Sequence, residues 1–291
     1  MKPKLRTSSS IAPFQVKAEQ ALGLERYDWK TDGPDVPVVF LGLYHKGYYE
    51  SFKRPRIKRY VLWSGGDIQN LKRGYLYGDG AGLWKSKIAR WFPWRKRVIR
   101  ILAEHFCENE DQKGILDGLG IKNSVVRAFW GNVDDFPVSF KPNIPLKVYI
   151  CGHPGREKEY GFEIAGRLAQ QFPDMEFHFY GAKTKSGQNI VNHGIVPEEQ
   201  FNKEIRNYHC FLRLNEHDGF SDALSKSILL GQYPITKIKH PNIWHYNTEN
   251  QLIHLLKRVQ KKNKPNIEAR NYYLKYLNNY PFLSVKQNET T

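Results

Sequence analysis

The sequence has few cysteines and no long apolar run. Its 291 residues include three cysteines, Cys107, Cys151 and Cys210, which lie far apart and fit neither a disulfide framework nor a zinc site. No apolar run approaches the roughly 20 residues of a membrane-spanning helix. The N-terminal stretch MKPKLRTSSS also lacks the apolar segment of a signal peptide. We therefore expect a cytoplasmic protein in a reducing compartment.

Acidic residues are scarce as well. The chain has 29 Asp and Glu against 45 Lys and Arg, which gives a formal net charge of +16. Such a charge favours phosphate-bearing partners: nucleic acid, anionic lipid or phosphorylated small molecules. Most of the excess lies in the first half, in the basic runs 53–59 and 81–103.

The second half alternates short β-rich runs with amphipathic segments. Such alternation with short connections is typical of a parallel sheet built from βαβ units. Ligands of these sheets bind at the carboxyl ends of the strands. The predicted elements are, in chain order, LKVYICG, YGFEIAGRLAQQFP, MEFHFYG, NIVNHGIV, PEEQFNKEIRNY, CFLRLN, FSDALSKSILLG and QYPITK.

The first half repeats this pattern less regularly and predicts a second Rossmann-like domain. Its strand-like runs are VPVVFLGLY, RYVLWSGGD, EHFCEN and NSVVRAFW. The proline-rich run 136–145 is interpreted as the linker between the two domains. Two further helical pieces follow residue 250, and a polar tail closes the chain.

The stretch LNEHDGFSDALSKSILLGQYPI, residues 214–235, combines a strand end, a polar turn and a helix. Asp218 and Gly219 form the turn, and Ser221 opens the helix. The backbone N–H groups of residues 220–223 would attract an anion such as a phosphate, because they lack intrahelical partners and lie at the positive end of the helix dipole. The alternative is an ordinary turn in which Ser221 is only the N-cap.

This pattern resembles the donor-site signature of GT-B glycosyltransferases, in particular glycosyltransferase family 4, whose consensus reads E-G-F-G-x-x-x-x-E-A-x-A-x-G-x-P. When the two are aligned on Gly219 and Gly231, Asp218 stands at the first glutamate and Lys226 at the second. The resemblance is strongest over residues 145–250. It implies an α/β protein of the GT-B fold, with two Rossmann-like domains whose parallel sheets face each other across a cleft.

The domain boundaries that follow from this resemblance lie near residues 140 and 266. Residues 1–140 would form an acceptor-side domain, and residues 141–266 would bind the nucleotide sugar. Residues 267–291 would supply a helix that returns to the first domain, followed by the polar tail.

The resemblance also implies a donor site at the strand ends of the second domain. Arg156 and Lys158, in the loop GHPGREKEYG, would grip the donor diphosphate. Asp218 would contact the transferred sugar, and His217 is the second catalytic candidate. The donor-binding candidates are Gly152, Arg156, Lys158, Gly181, Gly194, Ile195, Gly219, Phe220, Ser221, Asp222 and Lys226.

Lys226 departs from the family pattern. A glutamate there would accept hydrogen bonds from ribose hydroxyls, whereas an ammonium group can only donate. Three outcomes stay open: an altered ribose contact, a donor with extra negative charge, or a degenerate enzyme that acts as a non-catalytic subunit.

The implied function is transfer of a sugar from a nucleotide-sugar donor to a glycan or polyprenyl-diphosphate-linked acceptor, in bacterial surface polysaccharide synthesis. The resemblance implies retention of the anomeric configuration. No D-x-D triplet occurs in the chain, so we expect neither metal nor cofactor, the nucleotide sugar being a substrate. If the reaction inverts instead, His45 is a candidate base. Gly65 and Gly66 are possible acceptor-side residues or a simple turn.

The segment 83–102 places basic residues beside tryptophans. This composition suits the surface of an anionic membrane on the inner face; the alternative is a core helix with a solvated basic face. A different hypothesis for the whole chain is a nucleic-acid-binding protein. The sequence lacks a helix-turn-helix signature, an RNP aromatic motif and a zinc knuckle, so we expect no nucleic-acid partner.

Overall fold

The computed structural model describes residues 1–44, 57–74, 102–142 and 145–283, together with Leu76 and Val98. The chain divides into two compact units. The first comprises Met1–Gly131 and the segment from Tyr276 onward, and the second comprises Asn132–Lys275.

The first unit contains a five-stranded parallel sheet in the order β1-β2-β3-β4-β5. Every residue of β2 and β3 is buried, as expected for a parallel sheet covered on both faces. The strands are β1 Lys4–Thr7, β2 Val38–Leu41, β3 Arg59–Leu62, β4 Glu104–Cys107 and β5 Asn123–Val125. The helices that the described residues of this unit form in full are α1 Gln15–Leu22, α2 Gly66–Lys72 and α3 Glu110–Gly118.

The second unit contains a six-stranded parallel sheet in the order β11-β10-β9-β6-β7-β8. Strand β6 comes first in the sequence among the strands of this sheet, and it lies between β7 and β9. The direction of winding therefore reverses beside it. Ligands of doubly wound sheets bind at the carboxyl ends of strands at such a point. The strands are β6 Leu146–Cys151, β7 Met175–Tyr180, β8 Ile190–Gly194, β9 Cys210–Arg213, β10 Ile235–Thr236 and β11 Trp244–His245.

Helices connect these strands and cover the second sheet. Buried residues three, four and seven positions apart share the inner face of one helix, as in Leu252, Leu255, Leu256 and Val259. The helices are α4 Phe162–Gln171, α5 Glu198–Glu204, α6 Asp222–Leu229, α7 Glu249–Gln260 and α8 Ile267–Leu274.

The boundary between the units differs from the one expected near residue 140. Phe136 and Phe140 are buried, and Phe140 belongs to the hydrophobic core around the second sheet. The backbone N–H groups of Ser139 and Phe140 donate to the carbonyl of Leu230 at 3.1 and 3.2 Å. The run interpreted as a linker is therefore part of the second unit, because its aromatic side chains complete that core.

The C-terminal helix also differs from expectation. Helix α8 belongs to the second unit, where Tyr273 stacks on Phe220 with ring centroids 5.1 Å apart. The chain joins the first unit only beyond α8. There Asn278 bonds both backbone groups of Phe129, and Phe282 is buried in the core of the first unit.

No helix in the described ranges is long and apolar enough to cross a membrane. Most of the segment 83–102 lies outside the residues that the structure describes, so the membrane hypothesis stays a prediction.

Candidate functional site

The loops that follow β6 and β9 pack directly against each other. Gly161, with φ +73°, ends the first loop, and a Cβ added there would lie 2.6 Å from the Cβ of Leu214 in the second. No side chain fits into that gap. The close approach brings the loop with Arg156 and the turn with Asp218 to one place, because β6 and β9 are hydrogen-bonded neighbours.

Tyr160 lies where the loops after β6 and β9 contact each other. The guanidinium of Arg213, the last residue of β9, lies 5.0 Å from the Tyr160 ring centroid. The guanidinium of Arg156 lies 5.5 Å from the same centroid. Two cations from different strand ends therefore share one aromatic ring, at a separation typical of cation–π contacts.

Each arginine has one carboxylate partner. Arg213 donates from Nε to Asp218, and the side chain of Arg213 is only 12% exposed. Arg156 donates from Nε to Glu159 at 2.8 Å, and both of those side chains are about half exposed. Exposed ion pairs contribute about 0–1 kcal/mol, so Arg156 can exchange Glu159 for a ligand anion at little cost.

The electrostatics separate the two arginines. Burial lowers the pKa of Arg213, but the charge of Asp218 and the hydrogen bond to it outweigh burial and raise that pKa. The hydrogen bond to Glu159 raises the pKa of Arg156, and the nearby charge of Arg213 opposes it. The site thus holds two permanent positive charges close enough to repel each other, an arrangement that favours a multiply charged anion.

The α6 helix begins beside this cluster. The Ser221 hydroxyl caps it by accepting from the N–H of Leu224 at 3.2 Å, and Asp222 lies in the first turn. The Asp222 carboxylate would repel an anion at the helix N-terminus. Lys226, one turn further, lies 2.7 Å from Asp222 and neutralises it.

Lys226 is also bound by a second carboxylate. Its Nζ donates to Glu198, the first residue of α5, at 2.9 Å, and its side chain is only 4% exposed. Burial lowers the pKa of Lys226, but the charges and hydrogen bonds of Asp222 and Glu198 outweigh burial and raise it. Because two carboxylates already neutralise this cation, the alternative of a donor with extra negative charge loses support.

The glycines at the neighbouring strand ends permit close backbone approach. A Cβ on Gly181, with φ +81°, would lie 2.0 Å from the carbonyl oxygen of Gly152. The Gly181 N–H in turn donates to the carbonyl of Gly194 at 2.6 Å. These predicted donor-site glycines therefore hold the ends of β6, β7 and β8 together.

Comparisons with known proteins give the fold. No protein-family model matches the chain. A curated relative, tRNA-queuosine alpha-mannosyltransferase of Drosophila melanogaster, is 27% identical over 109 residues, which cover 35% of this chain and 28% of the relative. The matched segment therefore spans less than a third of that relative.

Solved structures resemble the chain over most of its length. Sucrose-phosphate synthase from Thermosynechococcus elongatus matches with a TM-score of 0.61 at 10% identity, over 83% of this chain and 69% of the other. The lipopolysaccharide outer core galactosyltransferase WaaB matches at 0.59 and 12% identity, over 93% and 77%. The fold is that of the GT-B glycosyltransferases.

Two further solved structures bear on length and ligand. HepE of Anabaena in complex with UDP-glucose matches with a TM-score of 0.55 at 9% identity, over 93% of this chain and 90% of the other. TarM is matched over 85% of this chain but only 52% of its own length. The chain thus spans about half of one GT-B structure and nearly all of another.

The predicted GT-B fold class is confirmed: both units are α/β with parallel sheets. The predicted site residues fall into different surroundings within it. Ile195 is 78% exposed, His217 is exposed, and the Lys158 carbonyl accepts from the N–H of Gly161. Phe220 is buried against Tyr273, so its ring packs the core beneath the turn.

Behind the loop of Gly194 and Ile195 lies a compact polar network. His193 stacks on Tyr180 with ring centroids 4.1 Å apart, and its Nε2 lies 2.9 Å from Nδ1 of His178. Its Nδ1 lies 3.3 Å from Glu204. Burial lowers the pKa of His178 to about 4, so this network is uncharged at the histidines near neutral pH and anchors the loop.

In the first unit, Gly65 and Gly66 form the tight entry to α2. Gly65 has φ +85° at the N-cap, and a Cβ on Gly66 would lie 3.1 Å from the Tyr44 hydroxyl. The fully buried Asp67 carboxylate accepts from the N–H groups of Leu43, Ser64 and Ile68 at 2.8–3.0 Å. The geometry is that of a closed turn; His45 lies outside the described residues.

Three residues of the site were missed as candidates by the sequence reasoning: Tyr160, Glu198 and Arg213. Arg213 directly precedes the stretch LNEHDG and could have been included on that ground. Tyr160 and Glu198 carry no local signal, because their partners are distant in the chain. Within the described residues no cluster of three or more metal-ligating side chains occurs.

Proposed function

We propose that the chain is a hexosyltransferase that binds a nucleotide-sugar donor at the carboxyl edge of the second sheet. The observation that carries the proposal is the placement of Arg156 and Arg213 on the Tyr160 ring, beside Asp218 and the N-terminus of α6. Support comes from the GT-B fold and from HepE, a structural neighbour whose complex contains UDP-glucose.

The donor diphosphate binds between the two arginines and the first turn of α6. Arg156 turns from the exposed Glu159 to the phosphates, while Arg213 stays anchored by Asp218 and Tyr160. Guanidinium groups suit this task because they donate two parallel hydrogen bonds to phosphate oxygens. Lys158, in the same loop, adds a third cation.

The chemistry requires that the departing nucleoside diphosphate be stabilised as negative charge develops on it. Preorganised donors do this best in a site that needs no rearrangement at the moment of reaction. Arg213 is such a donor, since burial and its ion pair fix its position. Asp218 and His217 lie on the turn beside it and face the transferred sugar, and the reaction proceeds with retention and without metal.

The ribose is bound by carboxylates gathered around Lys226. Asp222 and Glu198 both contact this ammonium group, and carboxylate oxygens accept hydrogen bonds from hydroxyl groups. Lys226 therefore positions the acceptors that the family pattern would supply at residue 226 itself. This interpretation favours an altered ribose contact over a degenerate enzyme.

The acceptor is a glycan or a lipid-linked sugar of bacterial surface polysaccharide synthesis. WaaB, an outer core galactosyltransferase of lipopolysaccharide, supports this class. A second candidate acceptor is a tRNA nucleoside, which the similarity to tRNA-queuosine alpha-mannosyltransferase favours and with which the net charge of +16 agrees.

Thermal shift with UDP, GDP, ADP and TDP compounds tests the donor site, because a ligand that binds only the folded state raises the melting temperature. We expect one nucleotide series to stabilise the wild type and Arg167→Gln, and to lose this effect in Arg213→Gln. Arg167 is a matched control, since it pairs with Glu249 on the surface of the same unit. Absence of any shift, or an equal shift in both variants, would contradict the proposal.

A further inference from the structure

A second cationic region lies at the end of α7, away from the donor site. We call it the α7 basic surface, formed by Lys257, Arg258, Lys261, Lys262 and Lys264. No acidic residue occurs between positions 250 and 267. Lys257, Arg258, Lys261 and Lys264 are exposed, and Lys262 is half-buried.

Two of these cations rest on aromatic rings. The Arg258 guanidinium lies 4.5 Å from the Trp244 ring, and the Lys262 ammonium lies 5.5 Å from the same ring and 5.3 Å from that of Tyr233. The Tyr233 hydroxyl donates to the carbonyl of Lys264 at 2.8 Å. The cations are therefore partly ordered before any partner arrives, which lowers the entropy cost of binding.

The α7 basic surface differs from the donor site in how its charge is balanced. At the donor site, Arg156 pairs with Glu159 and Lys226 with Asp222. Among the residues that the structure describes, none of the five cations of the α7 basic surface takes part in a salt bridge. Their charge is left for an external anion.

The α7 basic surface and the donor site also lie at opposite ends of the strands of the second sheet. Helix α7 begins beyond the carboxyl end of β11 and runs back along the sheet. Tyr233, which Lys262 covers, precedes β10, and its N–H donates to the carbonyl of His209 before β9. The α7 basic surface therefore flanks the amino ends of the strands, opposite Arg213 and Asp218.

We propose that the α7 basic surface binds the phosphate backbone of a nucleic acid. Clustered, exposed lysines and arginines neutralise such a backbone and release its counterions. A bilayer would also need several apolar side chains to insert, yet among described residues 230–273 the only exposed large hydrophobic side chain is that of Ile267, at 41%. The chemistry thus favours a phosphodiester polymer over a lipid surface.

The absence of nucleic-acid-binding motifs from the sequence led us to expect no nucleic-acid partner, and the α7 basic surface changes that expectation. It goes beyond the proposed sugar transfer and does not depend on it, because binding is measured without a donor. A polymer held at the amino edge would extend past the catalytic edge only if it were long, so a short oligonucleotide should bind without inhibiting donor binding.

The test is fluorescence anisotropy of a 20-nucleotide RNA with the full chain at several salt concentrations. We compare Lys261→Glu/Lys264→Glu with a matched control, Lys183→Glu/Lys185→Glu, which makes the same charge change at exposed positions of the same unit. We expect the first variant to bind about tenfold or more weakly and the salt slope to fall by about 1.4, since each phosphate contact with a single strand contributes about 0.7. The control should change affinity less than about twofold.

Equal losses in both variants would overturn the proposal, because they would show a response to net charge rather than to this surface. Unchanged affinity in both would overturn it as well. Flotation with phosphatidylserine vesicles that is lost only in Lys261→Glu/Lys264→Glu, with RNA affinity unchanged, would assign the surface to a membrane instead. Unchanged melting temperatures show that both variants fold.

Discussion

The two sheets each carry an aspartate beyond a central strand, and the two aspartates have different partners. Asp67 in the first unit is fully buried and accepts three backbone N–H groups. Asp218 in the second unit is 20% exposed and pairs with the side chain of Arg213. A carboxylate satisfied by backbone closes a turn, whereas one that pairs with a side chain holds a charged group in place where a ligand can contact it.

The largest expected effect is at the second site. Replacing Arg213 by Gln removes the buried guanidinium that, in the proposed function, stabilises the departing diphosphate, and we expect kcat/KM to fall about 10²- to 10³-fold. Arg167→Gln should leave kcat/KM within about twofold. Steady-state kinetics with the nucleotide sugar identified by thermal shift measures both. If the two variants are equally active, Arg213 does not contact the donor.

The isosteric pair Asp67→Asn and Asp218→Asn tests the comparison itself. In Asp67→Asn an amide NH₂ replaces one acceptor oxygen and leaves a buried backbone N–H unsatisfied, so we expect the free energy of unfolding to fall by about 2–3 kcal/mol. In Asp218→Asn the remaining oxygen still accepts from Arg213, and the loss should stay below about 1 kcal/mol.

We expect the opposite ranking for enzymatic activity, with the larger loss in Asp218→Asn. The folded fraction of Asp67→Asn should keep the wild-type kcat, whereas Asp218→Asn should lose activity because the proposed function places this residue against the transferred sugar. Urea titration and initial rates on the same samples measure both quantities. The contrast between the two sheets disappears if both variants change stability alike and keep their activity.

The pH dependence of stability gives a third test. Burial raises the pKa of Asp67 from 3.8 to about 6, against the backbone hydrogen bonds that lower it. The folded state therefore binds this proton more tightly than the unfolded state, and the stabilisation is complete below pH 3.8 and lost as the pH rises through 6. Between pH 7 and pH 5 the wild type should gain about 1.3 kcal/mol relative to Asp67→Asn.

The measurement is the difference between the two unfolding curves at each pH. Carboxylates with lowered pKa values, such as Glu19, Glu159 and Glu204, act in the opposite direction in both proteins and cancel in the difference. A flat difference across this range would mean that Asp67 is not held in a desolvated site.

The sequence could predict those elements of the fold that leave a local pattern. Periodicity located β6, β7, β9 and α6 within about two residues, because buried strands and amphipathic helices leave a local pattern. It missed β1, whose four residues alternate between half-buried and buried at a sheet edge, a pattern too short to separate from coil. The GT-B resemblance then supplied the order of the motifs.

The partners of the site residues could not be predicted in the same way. Arg213 meets Tyr160, and Lys226 meets Glu198 28 positions away, only because β6 is inserted between β9 and β7. The motif around Lys226 would look the same in the sequence if this side chain pointed to solvent. Strand order, which sequence periodicity does not encode, determines which distant side chains become neighbours.

The smallest expected effect concerns Lys226 and the ribose. If Glu198 accepts from a ribose hydroxyl while Lys226 holds it in place, Glu198→Gln should weaken binding of the preferred nucleoside diphosphate about fivefold, near 1 kcal/mol. The 2′,3′-dideoxy analogue should bind the wild type and this variant equally, because it lacks the hydroxyls. Glu199→Gln, a neighbouring exposed position on α5, is the matched control and should bind both nucleotides like the wild type. Competition calorimetry measures the six affinities of the three proteins for the two nucleotides. An equal loss for both nucleotides in Glu198→Gln would place Glu198 in a purely structural role with Lys226.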